Sequence, residues 1–201
     1  MDFFKTWIHA GTQNEYIAYD VTSISSCSKD IENLEWGYNR NKENLPQVNL
    51  AIYYGEKGML PLYYSIYLGS IPDKTHLSYM LRDNDLIGYK KVKYVMDRVF
   101  FSKDNLKHLV ESGCRFIMSM PNSLKVTKSL IDCYREEVVS KAECWLGKDL
   151  PYAKEVIIEE FDIRFKAHIY YSVEKLATEQ ALLLERIEEY EKNTFYNDRD
   201  T

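Results

Sequence analysis

Apolar and polar positions along the chain follow one pattern up to about residue 120 and a different one beyond it. Residues 16–21 form a short apolar run rich in β-favouring side chains, which predicts a strand ending at Asp20 and Val21. A polar stretch over 22–45 has no sustained period and predicts a long loop, a length that compact domains keep mainly for functional segments. Two further β-rich runs, Gln47 to Tyr54 and Leu60 to Leu68, flank Gly55-Glu-Lys-Gly58, a strong hairpin signal. Pro72-Asp73 opens a helical pattern to about residue 86 with Leu77, Met80 and Leu81 on one face. A strand over 92–97, a helix from near Ser102 with Leu106, Leu109 and Val110 inward, and a strand from Arg115 to Ser119 follow. The predicted order is three antiparallel strands, then helix, strand, helix, strand, with the first and fourth strands side by side in a mixed α/β sheet.

Beyond Pro121 the pattern is mostly helical with some strand. Residues 124–140 read as a helix, 145–165 mix short apolar runs with charges, and 166–171 suit a strand. Val173 to Tyr190 is a charged amphipathic helix with Leu176, Leu183, Leu184 and Ile187 among Glu and Lys. Its seam is short for a heptad assignment, which favours an ordinary packed helix and leaves a coiled-coil or partner role as the alternative. The division expected is one domain over 1–120 and a second region over 121–201.

Composition narrows the function. A chain of 201 residues with 45% hydrophobic content can bury one core plus a smaller lobe. The net charge of -5 gives no overall basic field, so any nucleic-acid contact must be local. Cys27, Cys114, Cys133 and Cys144 have neither Cys-x-x-Cys nor zinc-ligand spacing and read as reduced thiols. No apolar run is long enough to span a bilayer, and the first residues lack the order of a signal peptide, which predicts a cytoplasmic protein. Neither a P-loop nor a dinucleotide fingerprint is present, and His9, His76, His108 and His168 form no ligand pair. The 17 tyrosines include the pairs Tyr53-Tyr54 and Tyr63-Tyr64, where strand alternation should pack one ring and expose the other.

The candidate chemistry lies in two aspartates. Tyr16-Ile-Ala-Tyr-Asp20 and Val92-Lys-Tyr-Val-Met-Asp97 each deliver one carboxylate at the end of an apolar strand. Two carboxylates about 4 Å apart at an effective dielectric of about 20 repel by roughly 4 kcal/mol, which a divalent cation between them would reverse. The residues alone leave a second reading open for Asp20, a turn or capping carboxylate that bonds its own backbone.

Four ordered blocks carry a resemblance: Asp20-Val-Thr-Ser, Trp36-Gly-Tyr-Asn-Arg-Asn-Lys-Glu-Asn-Leu-Pro-Gln47, Gly69-Ser-Ile-Pro-Asp73 and Val95-Met-Asp97-Arg-Val-Phe-Phe-Ser102. Over roughly residues 15–120 the chain resembles the DDE-type insertion-sequence transposases, whose catalytic core is RNase H-like. The resemblance implies DNA transposition: phosphodiester hydrolysis at an element's end, then joining of the freed 3'-hydroxyl to target DNA. It implies that Asp20 and Asp97 are catalytic metal ligands for two Mg2+ ions, with Mn2+ able to substitute. Arg40, Lys42 and Arg98 are then candidate DNA-backbone contacts.

The chain departs from the family pattern at three places. Val99 follows Arg98 where relatives often have Gly, and Leu68 precedes Gly69 where Pro is frequent. The spaced Tyr, Arg, Glu, Lys run that carries the third carboxylate is missing; Tyr134-Arg-Glu-Glu137 has the wrong spacing, and the core is expected to be truncated before that residue. The partners implied are DNA at element ends and target, and a second copy or a full-length transposase. An alternative is a non-catalytic regulator that binds the full-length enzyme. A third reading is an RNase H-like nuclease whose third ligand is Asp73, Glu111 or another acid.

Overall fold

The computed structural model describes residues 6–7, 16–39, 42–56, 59–87, 93–148 and 150–197. The chain divides into two compact units, residues 1–124 and 125–201.

In the first unit, strands β1 (Tyr16–Ser25), β2 (Gln47–Gly55) and β3 (Leu60–Leu68) are followed by helix α1 (Asp73–Ile87), β4 (Lys93–Met96), helix α2 (Lys103–Glu111) and β5 (Arg115–Met118). They form one five-stranded sheet in the order β3-β2-β1-β4-β5. β1–β2 and β2–β3 are antiparallel, whereas β1–β4 and β4–β5 are parallel, so the first and fourth strands are neighbours as the pattern predicts.

Alternation decides which side chains meet the helices. Ile17, Tyr19 and Val21 of β1, Ala51 and Tyr53 of β2, and Tyr94 and Met96 of β4 are buried on one face, against Leu77, Met80 and Leu81 of α1 and Leu109 of α2. The aromatic centre of this core is tight: Tyr53 lies 5.6 Å from Tyr19 and 5.4 Å from Tyr94 between ring centroids. Burial pushes the Tyr53 phenol well above its ordinary range, and the Tyr94 hydroxyl, 3.2 Å away, adds to the rise. Tyr54 and Tyr64 are exposed where Tyr53 is buried, as alternation requires. Val110 is a correction: it is exposed, and Leu106 and Leu109 with Asn105 carry the buried stripe of α2, because Val110 lies one residue round the helix from Leu109.

A second correction concerns β1. It runs on to Ser25, four residues beyond the predicted end at Val21, so Asp20 stands mid-strand. Thr22 to Ser25 are too polar to read as a strand, yet Leu50, Asn49, Val48 and Gln47 of β2 pair with them in turn. Ladder bonds to a neighbouring strand outweigh weak local propensity.

The second unit contains α3 (Lys125–Ser140), the hairpin β6 (Tyr152–Glu160) and β7 (Ile163–Tyr171), and α4 (Val173–Asn197). The β6–β7 turn places Phe161 and Asp162 at φ of 55° and 64° with no glycine to announce it. Glu137 of α3 accepts from Lys141 one turn on and from Lys154 of β6, each at 2.7 Å. These two ammonium groups hold its carboxyl below the ordinary carboxylate value. A depressed value means that the contribution to stability is present above the ordinary carboxylate range and is lost as pH falls through the lowered one. Glu137→Gln should therefore lower Tm slightly at neutral pH, and thermal melts at successively lower pH should show that difference shrinking to nothing.

Among the described residues, no helix is long and apolar enough to cross a membrane.

Candidate metal centre

The site begins with register. β1 and β4 pair in parallel with Ile17 opposite Tyr94, Ala18 opposite Val95 and Tyr19 opposite Met96. The paired register ends at Tyr19 with Met96, and Asp20 and Asp97 are the next residue of each segment, Asp97 standing just beyond β4. Alternation gives both aspartates the same face. Tyr19 and Met96 point into the core, and their successors, both exposed, point away from it. Two exposed aspartates that lie 77 positions apart in sequence thus each follow the last paired position of neighbouring parallel strands.

The Asp97 end is anchored from below. Directly after Asp97, Arg98–Phe100 form a single 3-10 turn, and the Asp97 carboxylate accepts from the Arg98 N–H at 2.6 Å. Phe100 is fully buried, with its ring 4.8 Å from that of Tyr19, the residue immediately before Asp20. Asn105 of α2 donates to the Phe100 carbonyl at 2.9 Å, and the Ser102 side chain caps α2 by accepting from the Asn105 N–H. One buried ring therefore ties the loop carrying the second aspartate to the strand carrying the first. Asp20 itself accepts from the Val21 N–H at 2.8 Å, a local bond of the kind the turn reading anticipates, although it stands within a ladder rather than at a turn. Val99 is not among the residues with positive φ, so the missing glycine brings no strain to this turn.

The other candidate residues are placed as follows. Arg98 is exposed in the turn next to Asp97. Lys42 is exposed in the β1–β2 loop at a φ of 58°, with its N–H bonded to the Asn39 carbonyl. Arg40 lies outside the described residues. Among the described residues, no three acids, histidines or cysteines come together in a group able to hold a metal ion. The Asp73 carboxylate, one candidate third ligand, instead accepts from the Tyr67 hydroxyl at 2.8 Å, and Tyr67 stacks on His76 at 3.7 Å.

Sequence reasoning missed a polar hub that fixes the β1–β2 loop. Gln47 and Asn49, both buried, occupy inward positions of β2 where alternation would put apolar residues. Gln47 donates to the Tyr38 carbonyl at 2.8 Å and to Asn49 at 3.1 Å. Asn49 in turn reaches the carbonyls of Gly69 and Ile71, at 3.4 and 3.3 Å. Glu35 and Gln47 exchange two backbone bonds, and Gly37 packs directly on Gly69. The visible signal was polar residues at odd positions of Gln47-Val-Asn-Leu-Ala.

The transposase DDE domain family model matches residues 11–184. A cryo-EM structure of the piggyBac transposase synaptic complex with hairpin DNA is similar over 72% of this chain and 29% of its own, at 11% identity and a TM-score of 0.44. The Drosophila P element transposase strand transfer complex is similar over 70% of this chain and 34% of its own, at 17% identity and a TM-score of 0.32. The chain thus spans about a third of each of those proteins. No curated protein matches it in sequence.

Proposed function

The chain belongs to the transposase DDE domain family, and from that premise we propose that Asp20 and Asp97 are the metal-ligand pair of a DNA-transposing catalytic core. The observation that supports the reading is the register: Asp20 and Asp97 directly follow the last paired position, Tyr19 with Met96, of two neighbouring parallel strands, and both are exposed. The strand order, three antiparallel strands and then two parallel ones, supports an RNase H-like core over about residues 1–120. Residues 121–201 are then part of the insertion that precedes the third acidic residue.

The donor set fits Mg2+ or Mn2+. Magnesium is commonly held by one or two carboxylates, with water and substrate phosphate oxygens filling the rest of its octahedral shell. When bound, such ions supply an activated water or 3'-hydroxyl and stabilise the leaving 3'-oxygen of an in-line displacement. Asp20 and Asp97 would place that charge at a fixed point of the sheet, each with one carboxylate oxygen already oriented by a backbone N–H. Arg98, beside Asp97, is placed to meet a DNA phosphate, with Lys42 and Arg40 of the β1–β2 loop as further backbone contacts that position a duplex without reading its sequence. The third carboxylate, not grouped with this pair among the described residues, would come from a segment or chain docked on the same face.

Calorimetric titration of Mg2+ and Mn2+ into the chain, beside the Asp20→Asn, Asp97→Asn double variant, tests the pair. Saturable binding that the double variant loses is expected. A folded wild-type chain that binds neither ion would overturn the proposal and leave a non-catalytic interaction protein as the better reading.

A further inference from the structure

The metal pair leaves Trp36-Gly-Tyr38 of the β1–β2 loop without a role. Both rings are exposed, Trp36 at 62% and Tyr38 at 83%. The backbone that carries them is nevertheless tied down. Glu35 exchanges two backbone bonds with Gln47, and its carboxylate accepts from the Ser70 hydroxyl. The Tyr38 carbonyl accepts from the buried Gln47 amide, and the Asn39 side chain donates to the Ser25 hydroxyl at 2.7 Å. Burying Gln47 and Asn49 costs stability that their hydrogen bonds must offset, a scaffold that a plain connection between two strands does not require. Rings presented on fixed backbone can meet a ligand with little ordering cost.

Gly37 sets their direction. A side chain there would run into the Gly69 carbonyl, so position 37 faces the protein. Residues 36–39 make no turn, and on extended backbone the flanking side chains point the opposite way. Trp36 and Tyr38 therefore both face outward, in keeping with their exposure. Two extended residues span about 6.8 Å, twice the roughly 3.4 Å between successive bases of a strand. A gap of that size between two aromatic rings takes one flat ring, and every nucleobase has π faces to offer. In a duplex those faces are covered by the neighbouring base pairs, so the gap suits an unpaired base. Arg40 and Lys42, which follow the rings, offset Glu35 and Glu43, so segment 35–43 does not repel a phosphate through net charge.

We infer that Trp36 and Tyr38 clamp one unpaired base of the DNA strand whose phosphate lies at Asp20 and Asp97. Asn39 ties the clamp to Ser25, the last residue of β1, five positions beyond Asp20. That distance is about 17 Å, or roughly five nucleotides. The inference rests on the proposed transposition chemistry for its substrate, while stacking itself needs no ion.

The test is titration of the full chain, in EDTA, into an oligothymidylate of about ten nucleotides with one 2-aminopurine near its middle, whose fluorescence falls on stacking. Saturable quenching is expected. Trp36→Ala and Tyr38→Ala should each weaken binding by roughly 10-fold or more, and Trp36→Phe should restore most of the loss. A strand with abasic sites in place of its bases should bind wild type no better than the intact strand binds the alanine variants. Both rings are exposed, so the near-ultraviolet signal of the Tyr19, Tyr53 and Tyr94 core should be retained in every variant. Because no ion is present, a failed Mg2+ titration would sink the metal reading and leave this result standing. No quenching by wild type, full affinity in both alanine variants, or undiminished binding of the abasic strand would each overturn the clamp. Self-association that Trp36→Ala abolishes, with no response to the strand, would overturn it in favour of a protein contact.

Discussion

Gly69→Ala should destabilise the first unit by about 3 kcal/mol, the upper end for overpacking a filled site, and lower its Tm by roughly 10 °C. The methyl group would stand 2.2 Å from the Gln47 carbonyl oxygen and 2.4 Å from that of Glu35. Both oxygens already accept the reciprocal backbone bonds between those two residues, at 3.0 and 2.9 Å. Neither can retreat without breaking the bridge that holds the β1–β2 loop against β2. Gly37 meets the same constraint from the other side, with its added methyl 1.9 Å from the Gly69 carbonyl oxygen. Gly113→Ala is the control, because its φ of 65° is strained for alanine while nothing lies within 4 Å of the new methyl. Left-handed backbone alone costs about 1–2 kcal/mol. Chemical denaturation should therefore rank Gly69→Ala clearly below Gly113→Ala; equal losses would mean that the loop relaxes freely around residue 69.

The difference between those two glycines indicates what a sequence discloses. Gly55 and Gly58 announce a hairpin because turn chemistry is local. Gly37 and Gly69 serve a close approach between segments 32 positions apart, and nothing local distinguishes them from ordinary loop glycines. For the same reason β2, β3, α1 and α2 were legible from their periods, whereas the polar end of β1 depends on pairing with β2. The β6–β7 hairpin was legible only at its second strand, since Phe161 and Asp162 adopt a conformation that glycine usually signals. Asp97 was legible as the end of its strand from the apolar run before it, although β4 itself stops one residue earlier, at Met96. The adjacency of β1 and β4 was likewise legible in the order of the elements. Amphipathicity revealed that α4 has an apolar face but not that its residues from Val173 to Tyr190 are exposed.

Removing one charge from the aspartate pair should raise stability in the absence of metal. Like charges at neighbouring strand positions oppose folding, and for exposed groups screened by solvent the cost is only about 0.2–1 kcal/mol. Asparagine keeps the carbonyl oxygen that accepts from Val21 or Arg98, so Asp20→Asn and Asp97→Asn remove charge with little loss of hydrogen bonding. In EDTA each variant should melt slightly above the wild-type chain. In Mg2+ at about 100 times its dissociation constant, wild type should gain roughly 2.7 kcal/mol and the variants far less, which reverses the order. Such a crossing is a signature of residues kept for binding at the expense of stability. Melts in EDTA and in Mg2+ that preserve the same ranking would contradict it.

The most direct measurement is the position of a bound ion. Titrating substoichiometric Mn2+ into the isotopically labelled chain and following amide line broadening reports which residues the paramagnetic ion approaches. Broadening should begin at Ala18–Thr22 of β1 and at Met96–Val99 at the end of β4, and should vanish in the double asparagine variant. Broadening that begins instead along the acidic face of α4, near Glu174, Glu185 and Glu188, would mean that the ion is drawn by diffuse surface charge and that the neighbouring aspartates are not a metal site.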